Sequence, residues 1–199
     1  MAETSLGNPA VVGLAGFGTT TLLLQFHNLG WCGTGVVFCC ALAFGGFTQL
    51  MAGLQEFKAG NNFGYSAFCS YGAFWIALGL IFMVSDFQGA KDTWIAGHLK
   101  IGTGDLGWFL VAYTVYTAFM WIGSFAVHTA MVFTFTTLIL GFIGLDLEIL
   151  AGMSSIKTLV SIDLILCALG ALYMMAHVIY LQVFGRDVLP VGKPWVKKG

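Results

Sequence analysis

The sequence has very few charged residues, and long stretches have none. Asp, Glu, Lys and Arg are all absent from 4–55, 59–85, 106–145 and 164–185. A helix needs about 20 mostly apolar residues to cross a hydrocarbon core of about 30 Å. The first and third stretches can each hold two such helices, and the other two hold one each. The sequence therefore predicts an all-α membrane protein with six transmembrane helices.

The scarcity of charge also excludes several classes of protein. Only 9% of the residues are charged and 58% are hydrophobic, and the mean hydropathy is +0.89. A soluble domain is about 25% charged, so this chain cannot build a water-exposed surface, and the expected surroundings are membrane lipid. The net charge is -1 and no basic stripe occurs, so the sequence predicts no nucleic-acid partner.

Motifs for catalysis and cofactors are missing as well. The sequence contains no HExxH motif, no paired Glu-xx-His motif and no glycine-rich phosphate loop, and nothing suggests a nucleophile held beside a base. We expect neither an enzyme nor a bound cofactor or metal. Five cysteines without CxxC spacing are interpreted as small packing residues: Cys32, Cys39, Cys40, Cys69 and Cys167.

The chain is predicted to form one transmembrane domain over residues 1–199. The expected spans are 9–28, 34–57, 64–84, 105–124, 127–145 and 157–184. With six spans both termini lie on one side, together with the loop that carries Lys58. That side has more Lys and Arg (Lys58, Arg186, Lys193, Lys197 and Lys198 against Lys91, Lys100 and Lys157). Because positive charge favours the cytoplasm, we expect a plasma-membrane protein with both termini cytoplasmic.

Polar residues inside membrane spans are costly and mark candidate sites. Gln49 and Glu56 are interpreted either as polar pore residues or as groups for helix packing and the span end. Asp163 is either a proton site or a residue near the outer interface. His27 and His177 are nitrogen donors that suit haem, but their places near span ends favour interfacial hydrogen bonds.

The start of the first helix is the most specific polar feature. Asn8 is a favoured helix cap, and Pro9 suits the first helical position. A helix start offers unpaired N–H groups and a positive partial charge, which suit a carboxylate. These residues are therefore either a plain cap or part of an anion site.

Small residues predict how the helices associate. Membrane helices pack where small side chains let their backbones approach. We expect an oligomer that packs through Gly45, Gly46, Gly53, Ala73 and Ala77.

Three blocks of sequence resemble the acetate uptake transporter family, the succinate–acetate permeases. They are NPAVVGLAGF at 8–17, GGFTQLMAGLQEFKAGNNFGYSAFCSYGAFW at 45–75, and FGRDVLP at 184–190. Together they reach nearly from end to end. Two positions depart from the family pattern: Val11 replaces a second proline, and Asn62 replaces a common threonine.

The resemblance implies a homo-hexamer with a pore in each protomer. It implies that Asn8 and Pro9 lie beside a carboxylate site. It also implies a narrow hydrophobic waist of Phe17, Tyr71 and Leu138, with Ala171 nearby. The expected function is transport of acetate and related short carboxylates, with succinate as a further substrate, by a channel or a proton-coupled permease. The alternative is a channel for small neutral solutes such as ammonia, urea or water. From composition alone, core packing or lipid contact is the favoured explanation for Phe17 and Leu138.

Overall fold

The helices of the protein form a single antiparallel bundle. The computed structural model describes residues 7–88, 94, 98–102 and 104–197; Lys91 and Lys198 lie outside these ranges. The helices are α1 (Ala10–Asn28), α2 (Thr34–Cys40), α3 (Gln49–Lys58), α4 (Asn62–Phe87), α5 (Asp105–Ser124), α6 (Thr129–Leu150) and α7 (Lys157–Phe184). A π-helical segment, Ala41–Thr48, joins α2 to α3, and a 3₁₀ turn, Ser154–Ile156, precedes α7.

Six of these segments are long and apolar enough to cross a membrane, counting Thr34–Lys58 as one. The structure is therefore that of an all-α membrane protein with six spans. The spans run alternately up and down. The starts of α1, α4 and α6 lie with the end of α7 at one end of the bundle, called the near end here. The opposite end is called the far end. α1 packs against α7 and the π segment, and α6 lies between α5 and α7.

Three of the glycines that we expected at an oligomer face instead pack inside the protomer. A Cβ on Gly45 would lie 2.7 Å from the Cβ of Thr20 in α1. A Cβ on Gly53 would lie 2.6 Å from the Sγ of Cys69 in α4, and Gly46 is equally close to Ile76. Glycine thus lets the second span approach its neighbours within the protomer. The prediction for these three residues was wrong.

The fifth span extends past the position at which a charge was expected to end it. α6 continues to Leu150, whereas the predicted span stopped at 145. Asp146 lies within the helix, where its Oδ2 accepts a hydrogen bond of 2.6 Å from the hydroxyl of Thr114 in α5. A partner on the neighbouring helix lowers the cost of the carboxylate, so the helix is not forced to end there.

After α7 the chain turns back over the near end. Gly185 ends the helix in a left-handed conformation, with φ of 64°, which glycine adopts without steric cost. The following residues lie against the turn between α5 and α6. The N–H of Ala130 donates to the carbonyl of Val191 at 2.9 Å, and the hydroxyl of Tyr173 donates to the carbonyl of Pro190 at 2.9 Å. Residues 185–197 are called the C-terminal strap below.

Candidate functional site

A cavity of about 290 Å³ opens at the near end, between α1, α3, α4, α6 and α7. It is called the near cavity here. Most of its wall is apolar, with Leu14, Phe68, Met131, Phe135 and Met174 among the lining side chains. An apolar concave site with few polar groups is the usual form of a small-molecule site. The near cavity is therefore the first candidate for a substrate site.

Three side chains close the inner end of the near cavity. Phe17, Tyr71 and Leu138 come from α1, α4 and α6 and line this cavity as well as a smaller one behind it. The rings of Phe17 and Tyr71 lie 5.7 Å apart, and the hydroxyl of Tyr71 forms a 2.7 Å hydrogen bond with Thr117 in α5. These three residues are called the waist.

The structure thus brings together all four residues that the resemblance placed at a constriction. Ala171 in α7 also lines the near cavity and has no exposed surface. The waist residues are buried as well, at 8%, 3% and 4% exposure for Phe17, Tyr71 and Leu138. None of the four faces lipid. Their role in substrate selection stays a prediction.

The smaller cavity behind the waist leads to a third one at the far end. The middle cavity has a volume of about 30 Å³, so it has room only for a water-sized solute. It shares Leu24, Phe74 and Leu145 with a far cavity of about 240 Å³. Three cavities therefore lie in a row across the bundle, with the waist between the first two.

Gln49 supplies an unpaired amide to the near cavity. It has no exposed surface, it lines the cavity, and neither its Nε2 nor its Oε1 has a hydrogen-bond partner. An unsatisfied buried polar group costs about 1–3 kcal/mol. The buried amide of Gln49 is therefore a candidate contact for a polar ligand in the near cavity.

The position of Gln49 follows from the unusual helix before it. The π segment Ala41–Thr48 ends directly before Gln49. A π turn holds more residues than an α turn, so it changes the face that later residues present, and such turns are frequent at functional sites. The sequence marks this place with the pair Gly45–Gly46, although it does not reveal the π turn.

Glu56 was grouped with Gln49 in the sequence, but the structure separates them. Glu56 is 3% exposed and does not line the cavity. Its Oε2 accepts a 2.7 Å hydrogen bond from Nδ2 of Asn61, and Asn61 in turn lines the near cavity and caps α4 through the N–H of Gly64. Glu56 thus supports the turn that forms the cavity wall.

Hydrogen bonds already occupy the first donors of α1. The N–H of Ala10 donates to Oδ1 of Asn8 at 2.9 Å, and the N–H of Val11 donates to the carbonyl of Asn8 at 3.3 Å. Asn8 is exposed, and neither it nor Pro9 lines the cavity, whereas Ala10 does. The two residues therefore lie at the mouth of the near cavity, where Asn8 offers a side-chain amide rather than free backbone donors.

Two polar groups beyond the waist were missed by the sequence reasoning. Thr21 and Trp75 line the middle cavity, are 4% and 2% exposed, and leave Oγ1 and Nε1 without partners. Trp75 is the last residue of the second family-like block, and this position could have marked it as a candidate. The sequence offers no comparable reason to select Thr21, which is one of several threonines in apolar helices.

The remaining polar candidates lie apart from the waist. Nδ1 of His27 lies 3.0 Å from the carbonyl of Cys32, and Nδ1 of His177 lies 2.7 Å from that of Leu189. Asp163 lines none of the three cavities and leaves Oδ2 unpaired. Among the described residues, no three His, Cys, Asp or Glu side chains are placed to hold a metal ion.

Comparisons with known proteins agree with this architecture. The sequence profile of the GPR1/FUN34/yaaH family matches residues 1–183. The succinate-acetate/proton symporter SatP of Escherichia coli (strain K12) is 34% identical over 97% of this chain and 99% of its own length. A solved structure, described as that of the bacterial acetate channel SatP, superposes with a TM-score of 0.85 at 35% identity, covering 94% of this chain and all of the other.

Two fungal relatives match over a shorter region. Acetate permease A of Emericella nidulans is 34% identical over 57% of this chain. The ammonia transport outward protein 2 of Saccharomyces cerevisiae is 36% identical over 55% of this chain. Each match spans 39% of the fungal protein's own length. The named activities among these relatives are all transport activities rather than enzymatic ones.

Proposed function

Because the chain belongs to the GPR1/FUN34/yaaH family, we propose that it transports acetate and related short carboxylates, including succinate, through a pore within each protomer. The observation that carries this proposal is the row of three cavities interrupted by one apolar waist. An apolar constriction excludes hydrated inorganic ions. A small carboxylate can pass such a constriction if it loses its hydration water for a short time.

The near cavity supplies the groups that replace this water. Gln49 donates from its unpaired amide beside the waist, and Asn8 and Pro9 shape the mouth at the positive end of α1. Beyond the waist, Thr21 and Trp75 are the next donors. Phe17, Tyr71, Leu138 and Ala171 then set the width that a substrate must fit.

The assembly and its surroundings belong to the same proposal. The protein is a multi-pass membrane protein, and we place it in lipid at the plasma membrane as a homo-hexamer with a pore in each subunit. The near end carries the start of α1, the C-terminal strap and Lys58, Arg186, Lys193 and Lys197, so we assign it to the cytoplasm. Native mass spectrometry in mild detergent tests the hexamer, and a monomer alone would contradict it.

Uptake of labelled acetate into proteoliposomes tests the function. We expect saturable uptake that propionate competes with and urea does not. The alternative, a channel for small neutral solutes, is favoured by the name of the yeast ammonia transport relative. It predicts passage of ammonia or urea without saturable acetate uptake. A pH gradient that drives acetate accumulation identifies proton coupling, and equilibration without accumulation identifies a channel.

Variants of Asn8 test its place at the mouth. Asn8→Asp keeps the oxygen that caps Ala10 but adds a negative charge, so acetate uptake should fall while stability is preserved. Asn8→Ala removes the cap, at a cost of about 1 kcal/mol. Unchanged acetate affinity in both variants, at normal assembly, would remove Asn8 from the site.

A further inference from the structure

The C-terminal strap is fixed to the turn between α5 and α6. The carbonyl of Lys193 accepts a hydrogen bond of 3.1 Å from the hydroxyl of Thr129. The carbonyl of Phe125 accepts from the N–H groups of Trp195 and Val196 at 2.8 and 3.0 Å. The rings of Phe125 and Trp195 also stack, with their centroids 5.8 Å apart. The backbone that carries Lys193 and Lys197 is therefore held in one place.

That place adjoins the near cavity. Ala126 and Val127, in the turn that holds the strap, line the near cavity. The same two residues, together with Lys193 and Lys197, line an open groove of about 590 Å³. The groove and the cavity thus share a wall, and a solute in the groove lies beside the entrance.

The two lysines keep their positive charge uncompensated. Both are exposed, and within the described part of the chain neither lies within ion-pair distance of a carboxylate. The strap's own carboxylate, Asp187, lies 3.3 Å from Nδ1 of His177. Glu56 is buried and bonded to Asn61. Among the described residues, the two carboxylates of this end thus contact groups other than these lysines, whose charges face the groove without an ion-pair partner.

We infer that Lys193 and Lys197 form an anion-collecting rim that concentrates small carboxylates at the entrance of the near cavity. This inference rests on the proposed function. A cleft lined by one sign of charge focuses the field and raises the local concentration and arrival rate of an oppositely charged solute. The rim raises the rate at which carboxylates reach the near cavity, and it does not affect their passage through the waist.

The test compares acetate with acetamide, an uncharged molecule of nearly the same shape. Uptake is measured in sealed membrane vesicles of both orientations, at ionic strengths of about 0.01 M and about 0.5 M balanced across the membrane. For Lys193→Gln/Lys197→Gln we expect the initial rate at low acetate to fall on the order of tenfold at low salt. The saturating rate and any acetamide flux should stay unchanged, and high salt should remove the difference.

Orientation gives a further readout. The loss should appear when acetate is added on the side of the strap, which protease digestion of the strap identifies. Lys193→Arg/Lys197→Arg should restore the wild-type rate, because it restores the charge. Arg186→Gln is the matched control, since Arg186 lies on the same strap but lines neither the groove nor the near cavity.

Three results would overturn the rim. One is a wild-type rate in the double Gln variant at low salt and matched abundance. Another is an equal loss of the initial acetate rate in Arg186→Gln, which would indicate that the net charge of the strap, and not the position of the two lysines, sets the rate. The third is a loss that high salt leaves in place, which would indicate a damaged strap. Absence of saturable acetate uptake in the wild type would instead refute the proposed function, so the two failures are distinguishable.

Discussion

The near and far cavities lie on opposite sides of the waist and differ in their polar groups. The near cavity has the unpaired amide of Gln49, and two lysines of one sign lie beside its mouth. The far cavity is lined by His27, whose ring bonds a backbone carbonyl, and by Glu148 and Lys157, which carry opposite charges. The charged residues that line the far cavity are therefore of opposite sign, whereas the lysines beside the near cavity are of one sign. The two cavities are thus electrostatically different although their volumes are similar.

The largest expected effect comes from closing the connection between the two cavities. Ala171→Phe places an aromatic ring where Ala171 has no exposed surface, so acetate uptake should fall by tenfold or more. Overpacking of a core costs about 1–3 kcal/mol, so assembly must be checked by size-exclusion chromatography. Leu169→Phe adds the same ring at a half-exposed position of α7 and should transport normally. Normal uptake in Ala171→Phe would place the passage elsewhere.

Widening the same connection should change selectivity rather than block transport. Leu138→Ala removes three carbons from the waist, so the ratio of succinate to acetate uptake should rise severalfold because larger acids are rejected sterically. The truncation of a buried leucine costs about 2–5 kcal/mol, so protein of matched abundance is compared. Leu140→Ala, on an exposed face of α6, is the control. An unchanged ratio in Leu138→Ala would contradict the waist.

Two buried glutamines on opposite sides of the waist differ in their hydrogen bonds. Gln49→Met removes an amide without partners and should lower acetate uptake while leaving the melting temperature unchanged or higher. Gln25 bonds Thr21 and Asn28, so Gln25→Met should lower the melting temperature because it leaves the amide of Asn28 without its acceptor. For Gln49→Met, loss of the proposed hydrogen bond to the acetate carboxylate should cost about 1.5–3 kcal/mol, which weakens acetate binding about tenfold or more. Wild-type acetate uptake in Gln49→Met would leave the amide without a role in binding.

The smallest effect concerns the pH dependence of the near end. Burial lowers the pKa of His128 from its ordinary value of 6.5, and the neighbouring His177 lowers it further. Nδ1 of His128 accepts the N–H of Met131 at the start of α6, so the folded protein favours the neutral ring. As the pH falls through 6.5 the unfolded chain takes up protons first, and stability is lost.

The variant His128→Asn tests this dependence, since asparagine caps a helix without titrating. The melting temperature of the wild type should fall more between pH 7.5 and 5 than that of His128→Asn, because only the wild type carries this titrating ring. Parallel curves for the two proteins would show that His128 does not contribute.

The sequence alone determined the number of spans and the family. Charge-free stretches of sufficient length leave no alternative to membrane helices, because an unpaired charge in lipid is too costly. Phe17 and Tyr71 lie inside the family-like blocks, and Leu138 and Ala171 were placed by the same resemblance. The structure brings these four residues together as expected.

Which helix faces meet became visible only in the packed bundle. In lipid both faces of a span are apolar, so hydrophobic periodicity does not reveal the inward one. For this reason Gly45 and Gly53 were predicted at an oligomer interface although they pack within the protomer. For the same reason the sequence did not show that the side-chain amide of Gln49 lacks a hydrogen-bond partner. The continuation of α6 past Asp146 depends on Thr114, a residue 32 positions away in the chain. Such pairings, like the fold of the C-terminal strap over the near end, exist only once distant helices are packed side by side.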